Sequence, residues 1–203
     1  SNSVKKIVIV GGGSAGWLTA AYALYNLPNV QITLIESPKV PIVGVGEATI
    51  LGFDHYLKDC GIPTELWTKE CDATIKLGTY FPNWRGDGKN IWQPFYFPIE
   101  RASSGNWLDV IDLCRDANIK TEDYEKWTAW YDISVKDGKI AGNTTANGND
   151  AHVGYHLDAV KLANFLSEYL NKKYPRLNHI KAHVDKPVVK DGNIEHIVLE
   201  NGE

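Results

Sequence analysis

The chain has 203 residues, enough for one ordinary domain with a buried core, so neither a disulfide-stapled miniprotein nor a disordered tail fits. Lysine and arginine number 21 against 25 acidic residues; the net charge of -4 offers no footprint for nucleic acid, and no stretch approaches the roughly 20 apolar residues of a membrane span. The 3 cysteines, Cys60, Cys71 and Cys114, are scattered and odd in number, which excludes a disulfide scaffold and reads as free thiols in a reducing cytoplasm.

Methionine is absent, and Ser1-Asn2-Ser3 reads as a cleavage scar to be set aside. Val4 to Val10 is a continuous apolar run, the pattern of a strand buried on both faces in a parallel sheet. It runs into Gly11-Gly12-Gly13-Ser14-Ala15-Gly16. Trp17, Leu18, Ala21, Leu24 and Tyr25 then recur at helical spacing to Asn26, with Pro28 as the stop. Val30, Ile32, Leu34 and Ile35 form a second strand closing on Glu36, which completes a βαβ unit and predicts a parallel sheet. Residues 1–50 are the first part of that domain. From 51 to 150 the rhythm breaks: Trp67, Trp84, Trp92, Trp107, Trp127 and Trp130 mark an inserted lobe of mixed structure, and residues 142–150 are a loop by composition, the sequon at Asn143 in it read as chance. Residues 151–203 return to regular structure. Asp158 caps a helix whose Leu162, Phe165, Leu166, Tyr169 and Leu170 share one face; strands follow at Ile180–Val184 and Pro187–Val189, and Asp191-Gly192-Asn193 turns into Ile194–Leu199.

Gly11, Gly13 and Gly16 satisfy G-x-G-x-x-G. The first glycine permits a tight turn, the second lets backbone approach a pyrophosphate, and the third lets the helix pack on the strand. The helix start presents orphan N–H groups to phosphate. Glu36 stands 20 residues past Gly16 (36 minus 16), where an acid can accept from ribose hydroxyls. A glycine turn that merely packs a helix on a sheet would leave Glu36 unexplained. The fingerprint predicts a dinucleotide site and leaves FAD and NAD both open. His179 and His183 are spaced i, i+4 on a predicted strand, which is not a helical ligand pair, and no metal site is expected.

After Glu36 the chain reads Ser37-Pro38-Lys39-Val40-Pro41-Ile42-Val43-Gly44-Val45-Gly46-Glu47-Ala48-Thr49, with glycines alternating around Val45 as in a loop brought close to a flat ligand. Gly-Gly-Gly-Ser-Ala-Gly-Trp at 11–17 together with Gly-Val-Gly-Glu-Ala-Thr at 44–49 resembles the flavin-dependent tryptophan halogenases. The resemblance continues through Gly61-Ile62-Pro63, Trp67, Asp72-Ala73-Thr74-Ile75-Lys76, Asn83-Trp84 and Tyr155-His156-Leu157-Asp158, and is densest at 7–84 and 152–200. Gln93-Pro94-Phe95 and Ile50-Leu51 depart from the family pattern of His-Pro-Phe and Ile-Pro.

The resemblance implies an α/β, Rossmann-like FAD-binding fold with a parallel sheet, a β-hairpin and a large inserted lobe, incomplete at its C-terminus. It implies FAD, used as FADH2, bound by Gly11, Gly12, Gly13, Ser14, Ala15, Gly16, Glu36, Ser37, Val40, Val43, Val45, Gly46, Glu47, Ala48 and Val184. In that family a flavin hydroperoxide and chloride or bromide give hypohalous acid, which a lysine delivers to an electron-rich aromatic such as tryptophan; Lys76 matches that lysine. It implies a separate flavin reductase as a transient partner, and the unpaired cysteines lead us to expect a cytoplasmic enzyme. Because the family's later segments (Trp-x-Trp-x-Ile-Pro, the glutamate that assists the lysine, the Ser-Thr-Gly halide segment) do not occur, the chain is expected to be an amino-terminal portion inactive alone. Two competing readings are another FAD-dependent monooxygenase and a non-catalytic nucleotide-binding module.

Overall fold

A computed structural model of the chain describes residues 4–42, 44–76, 78–88, 91–94 (backbone only) and 153–202. Val43, Phe95, Trp107, Cys114, Trp127, Trp130 and the 142–150 loop with Asn143 lie outside the described residues. The first strand, β1 (Lys6–Val10), passes through the glycine turn into helix α1 (Ser14–Asn26) and returns in β2 (Gln31–Glu36). β1 and β2 are parallel, with Ile7 against Ile32 and Ile9 against Leu34, as the βαβ pattern predicts. The expectation that β1 is buried on both faces fails: Ile9 is buried, whereas Val8 and Val10 are 53% and 58% exposed. Side chains alternate along a strand, and α1 packs on the Ile9 face alone, leaving the Val8 and Val10 row outside.

The middle of the chain holds β3 (Gly46–Ala48), α2 (Phe53–Asp59), α3 (Thr64–Glu70), β4 (Thr74–Lys76), β5 (Gly78–Phe81) and β6 (Ile91–Pro94). Helices α2 and α3 meet on Asp54, whose carboxylate accepts from Thr64 Oγ1 at 2.6 Å and Trp67 Nε1 at 3.1 Å and pairs with Lys58 at 2.8 Å. Burial pushes that carboxyl up, yet the Lys58, Thr64 and Trp67 bonds together hold it below its ordinary value. Trp67, Leu57, Ile62, Cys60 and Cys71 are fully buried around this hub, both thiols are free, and burial raises them to about 11 for Cys60 and about 12 for Cys71. Tyr56 ties α2 to α1 by donating to the Leu18 carbonyl at 2.8 Å.

The last third runs β7 (Gly154–Asp158), α4 (Ala159–Lys173), β8 (Asn178–Lys181), β9 (Val184–Lys190) and β10 (Asn193–Leu199). Asp158 caps α4 as expected, its carboxylate accepting from the Lys161 N–H at 2.9 Å. Leu162, Leu166 and Leu170 are fully buried with Trp17, Ala20, Ala21 and Leu24 of α1, and the small alanines let the two helices approach closely. Burying each leucine stabilises the unit by roughly 1.5–3 kcal/mol. Phe165 and Tyr169 are only half-buried and stack on each other at 5.6 Å. β8 joins β2 in parallel, giving sheet order β1-β2-β8 with Leu34 opposite His179. The first of the two late strands therefore ends at Lys181, earlier than expected, and the second begins at Val184 and continues through Pro187. It pairs antiparallel with β10 around Asp191 and Gly192, whose φ of 51° and 77° give the tight hairpin turn the sequence predicts.

By contact the chain divides into two compact units, one of Ser1–Glu47, Asp54–Thr74 and His156–Glu203, the other of Ala48–Phe53 and Ile75–Tyr155. The first carries the parallel sheet, α1 to α4 and the hairpin. In the second, β5 and β6 pair antiparallel, with Tyr80 opposite Trp92, and Asn83 closes a turn by accepting the Gly88 N–H on its side chain at 2.7 Å.

Candidate functional site

In the glycine turn the glycines differ in what constrains them. Gly11 takes φ +124°, open to glycine and strained for other residues, and its N–H donates to the Ile35 carbonyl at 2.9 Å, pinning the turn to the end of β2. A Cβ on Gly16 would collide with the Gly11 carbonyl oxygen, so the third glycine is what lets α1 begin so close to the turn. Around Gly13 there is open space. Gly12, an x position in the motif, is constrained from the other side: a Cβ there would stand 2.6 Å from Glu36 Cδ. Gly13 is also the N-cap of α1, no side chain caps that end, and its first turn holds no acid, so the orphan N–H groups and the positive end of the helix dipole are left for an anion.

These groups line a cavity of about 520 Å³ within the first unit, a size that suits ligand clefts of roughly 300–1,000 Å³. One wall is Gly11, Gly12, Gly13, Ser14 and Ala15; a second is Glu36, Ser37, Val40 and Glu47; Val184 contributes from the start of β9. Of the other residues expected to bind cofactor, Gly16 holds the turn together, while Val45, Gly46 and Ala48 do not line this cavity. The Val45 carbonyl instead accepts the Ala159 N–H at 3.3 Å. The sequence reading missed Ala159, Ala182 and His183, which line the cavity from the last third of the chain. Asp158 as a helix cap was a signal for Ala159; nothing local marked His183, whose Nδ1 meets Ser37 Oγ at 2.8 Å. His179 and His183 do not share a strand, since β8 ends before His183. Among the described residues no group of three or more His, Cys, Asp or Glu could hold a metal.

Lys76 lies in the second unit at the end of β4, half-buried, with Nζ donating to the Thr49 carbonyl at 3.2 Å. Thr49 is itself held by Tyr155: its N–H donates to the Tyr155 carbonyl at 2.8 Å, and its Oγ1 accepts the Tyr155 N–H at 2.9 Å. The amine is thus anchored to a backbone carbonyl that two further bonds fix in place.

A family profile described as Tryptophan halogenase matches residues 6–203. Among curated proteins, the tryptophan 6-halogenase SttH of Streptomyces toxytricini is 42% identical, the match covering 96% of this chain and 41% of that protein. The tryptophan 6-halogenase ThaL of Streptomyces albogriseolus is 32% identical over 83% of this chain and 34% of its own length. Among solved structures, that of SttH superposes with a TM-score of 0.75 at 32% identity, covering 98% of this chain and 39% of the other. Xcc4156, a flavin-dependent halogenase from Xanthomonas campestris, gives 0.74 at 28% identity over 98% of this chain and 40% of that one. The chain spans about two fifths or less of the length of these relatives. With the profile running from β1 to the end of the chain, through the glycine turn, Lys76 and the hairpin, this chain belongs to the flavin-dependent tryptophan halogenase family.

Proposed function

We propose that this chain forms the flavin-holding part of an FADH2-dependent halogenase acting on an electron-rich aromatic of the tryptophan kind. The observation that carries the proposal is the cavity at the start of α1, bounded by the glycine turn and by Glu36 and Ser37 after β2. Its features fit FAD: open space at Gly13 for a pyrophosphate, an uncapped helix end to meet its charge, an acid at the strand end for ribose, and an apolar wall at Val40. Gly12, Gly13, Ser14 and Ala15 would hold the phosphates, Glu36 the ribose, and Ser37, Val40, Glu47 and Val184 the rest; Val45, Gly46 and Ala48 are assigned to the flavin by the sequence resemblance alone. FAD, when bound and reduced, supplies the activation of oxygen that turns chloride or bromide into hypohalous acid.

Lys76 directs that acid. Its amine, anchored on the Thr49 carbonyl, holds the halogen by hydrogen bond, or takes it as a haloamine with loss of water, and presents it to one ring carbon. A flavin reductase supplies the reduced cofactor. Free thiols at Cys60 and Cys71 suit a cytoplasmic enzyme, and among the described residues no helix is long and apolar enough to cross a membrane. Replacing Lys76→Ala in the longest gene product containing this chain tests the reading: halogenated product should fall at least a hundredfold while flavin binding and reoxidation stay within about twofold. Unchanged product would sink the role of Lys76 and favour a monooxygenase; absence of FAD binding by calorimetry would sink the flavin site.

A further inference from the structure

Glu36 does not point freely into the cavity. Its Oε2 lies 2.8 Å from His179 Nε2, and its side chain lies against Gly12, where a Cβ would collide with it. The register explains the meeting: Leu34 faces His179 and Glu36 faces Lys181, so His179 and Glu36 are diagonal neighbours on one face of the β2-β8 pair. The side chains are 11% exposed for His179 and 27% for Glu36.

The hydrogen bonds also assign the imidazole tautomer. Asn171 Nδ2 donates to the Ser167 carbonyl at 2.8 Å within α4, which fixes the amide orientation. Its second N–H reaches His179 Nδ1 at 3.2 Å, so Nδ1 is an acceptor and the ring proton sits on Nε2, aimed at Glu36. Trp17, 1% exposed, meets the imidazole edge-on with centroids 4.9 Å apart and planes at 87°. The ring is therefore held from α4, from α1 and by the strand that carries it, and Glu36 Oε1 has no protein partner among the described residues.

We infer that His179 is a positioning residue for ribose recognition: through Nε2–H it fixes Glu36 so that one carboxylate oxygen is committed to the protein and the other is presented to the adenosine ribose hydroxyls. The inference rests on the proposed dinucleotide site. It gives the Glu36 carboxylate one rotamer before the nucleotide arrives, so ordering cost is removed from binding and discrimination between ribose and deoxyribose is sharpened.

The test measures ADP and 2′-deoxy-ADP binding to the full chain by calorimetry, in wild type, E36Q, H179F and H179Q. H179F keeps a ring against Trp17 but has no N–H; H179Q keeps an N–H near the Nε2 position. Wild type should prefer ADP by about tenfold, as expected for a hydrogen bond to a charged acceptor. E36Q and H179F should bring the preference below about threefold, and H179Q should restore most of it, with melting temperatures of the His179 variants alike. A wild-type preference retained in H179F overturns the role of His179 alone. Loss of the preference in H179Q to the same degree as in H179F also overturns it, because packing rather than the N–H would then be responsible. Wild type that binds neither nucleotide overturns the dinucleotide reading, and the inference with it.

Discussion

Gly12 and Gly16 show how two glycines of one turn can fail in different ways. At Gly16 the obstacle is the Gly11 carbonyl oxygen, backbone that cannot step aside, so Gly16→Ala should destabilise the unit by about 3 kcal/mol or more, read by urea unfolding. At Gly12 the obstacle is the Glu36 side chain, which can swing away at the expense of its bond to His179. Gly12→Ala should therefore cost under about 1.5 kcal/mol of stability but weaken ADP binding about tenfold by calorimetry. The motif spacing made Gly11, Gly13 and Gly16 legible from the sequence: Gly11 and Gly16 answer local needs of a strand-turn-helix, and Gly13 leaves open space for a ligand. Gly12 answers to a residue 24 positions away (36 minus 12), and His183 to Ser37 across 146 positions; no local pattern encodes such pairings.

At the level of elements, α1 was readable from its apolar spacing and the Pro28 stop, and α4 from its apolar spacing and the Asp158 cap, all of which are local. Asp158→Ala should remove about 1 kcal/mol, measured by chemical denaturation, with Asp158→Ser recovering most of it. β8 and β9 were misplaced by a few residues because a proline inside a run argues for a break, whereas here Pro187 sits opposite Ile197 in a two-stranded hairpin. The burial of β1 was misjudged for a related reason: an apolar run states what a strand could bury, and only the packing of α1 decides which face is covered. Helices α2 and α3 escaped the sequence reading, since each is 7 residues long and depends on Asp54 and buried Trp67 more than on periodicity.

Across the whole molecule, buried acids set the pH range of stability. Burial raises Cys60 to about 11, Cys71 to about 12 and Tyr56 to about 12, so the native state holds protons that the unfolded chain gives up from near pH 9 for the thiols and pH 10 for the phenol. Their contribution is complete below about pH 9 and lost as the pH rises toward the folded values. Asp54 works in the opposite direction: its lowered carboxyl contributes above the unfolded value near 4 and loses that contribution as the pH falls through the folded one. Urea midpoints should thus be flat from about pH 6 to 8.5 and decline on both sides, and Cys71→Ala should flatten the alkaline limb.

β2 finds one neighbour, β1, almost at once, but its other neighbour arrives late: Asn178 Nδ2 reaches Thr33 Oγ1 across 145 positions, and the Arg176 guanidinium returns over 146 to close on the Val30 carbonyl. At roughly 5–20 residues per second of synthesis, the nascent strand keeps an open edge for about 7 to 30 seconds before β8 is made. Translation arrested near residue 130 should leave β2 cleavable by protease, and arrest beyond the end of the hairpin should protect it.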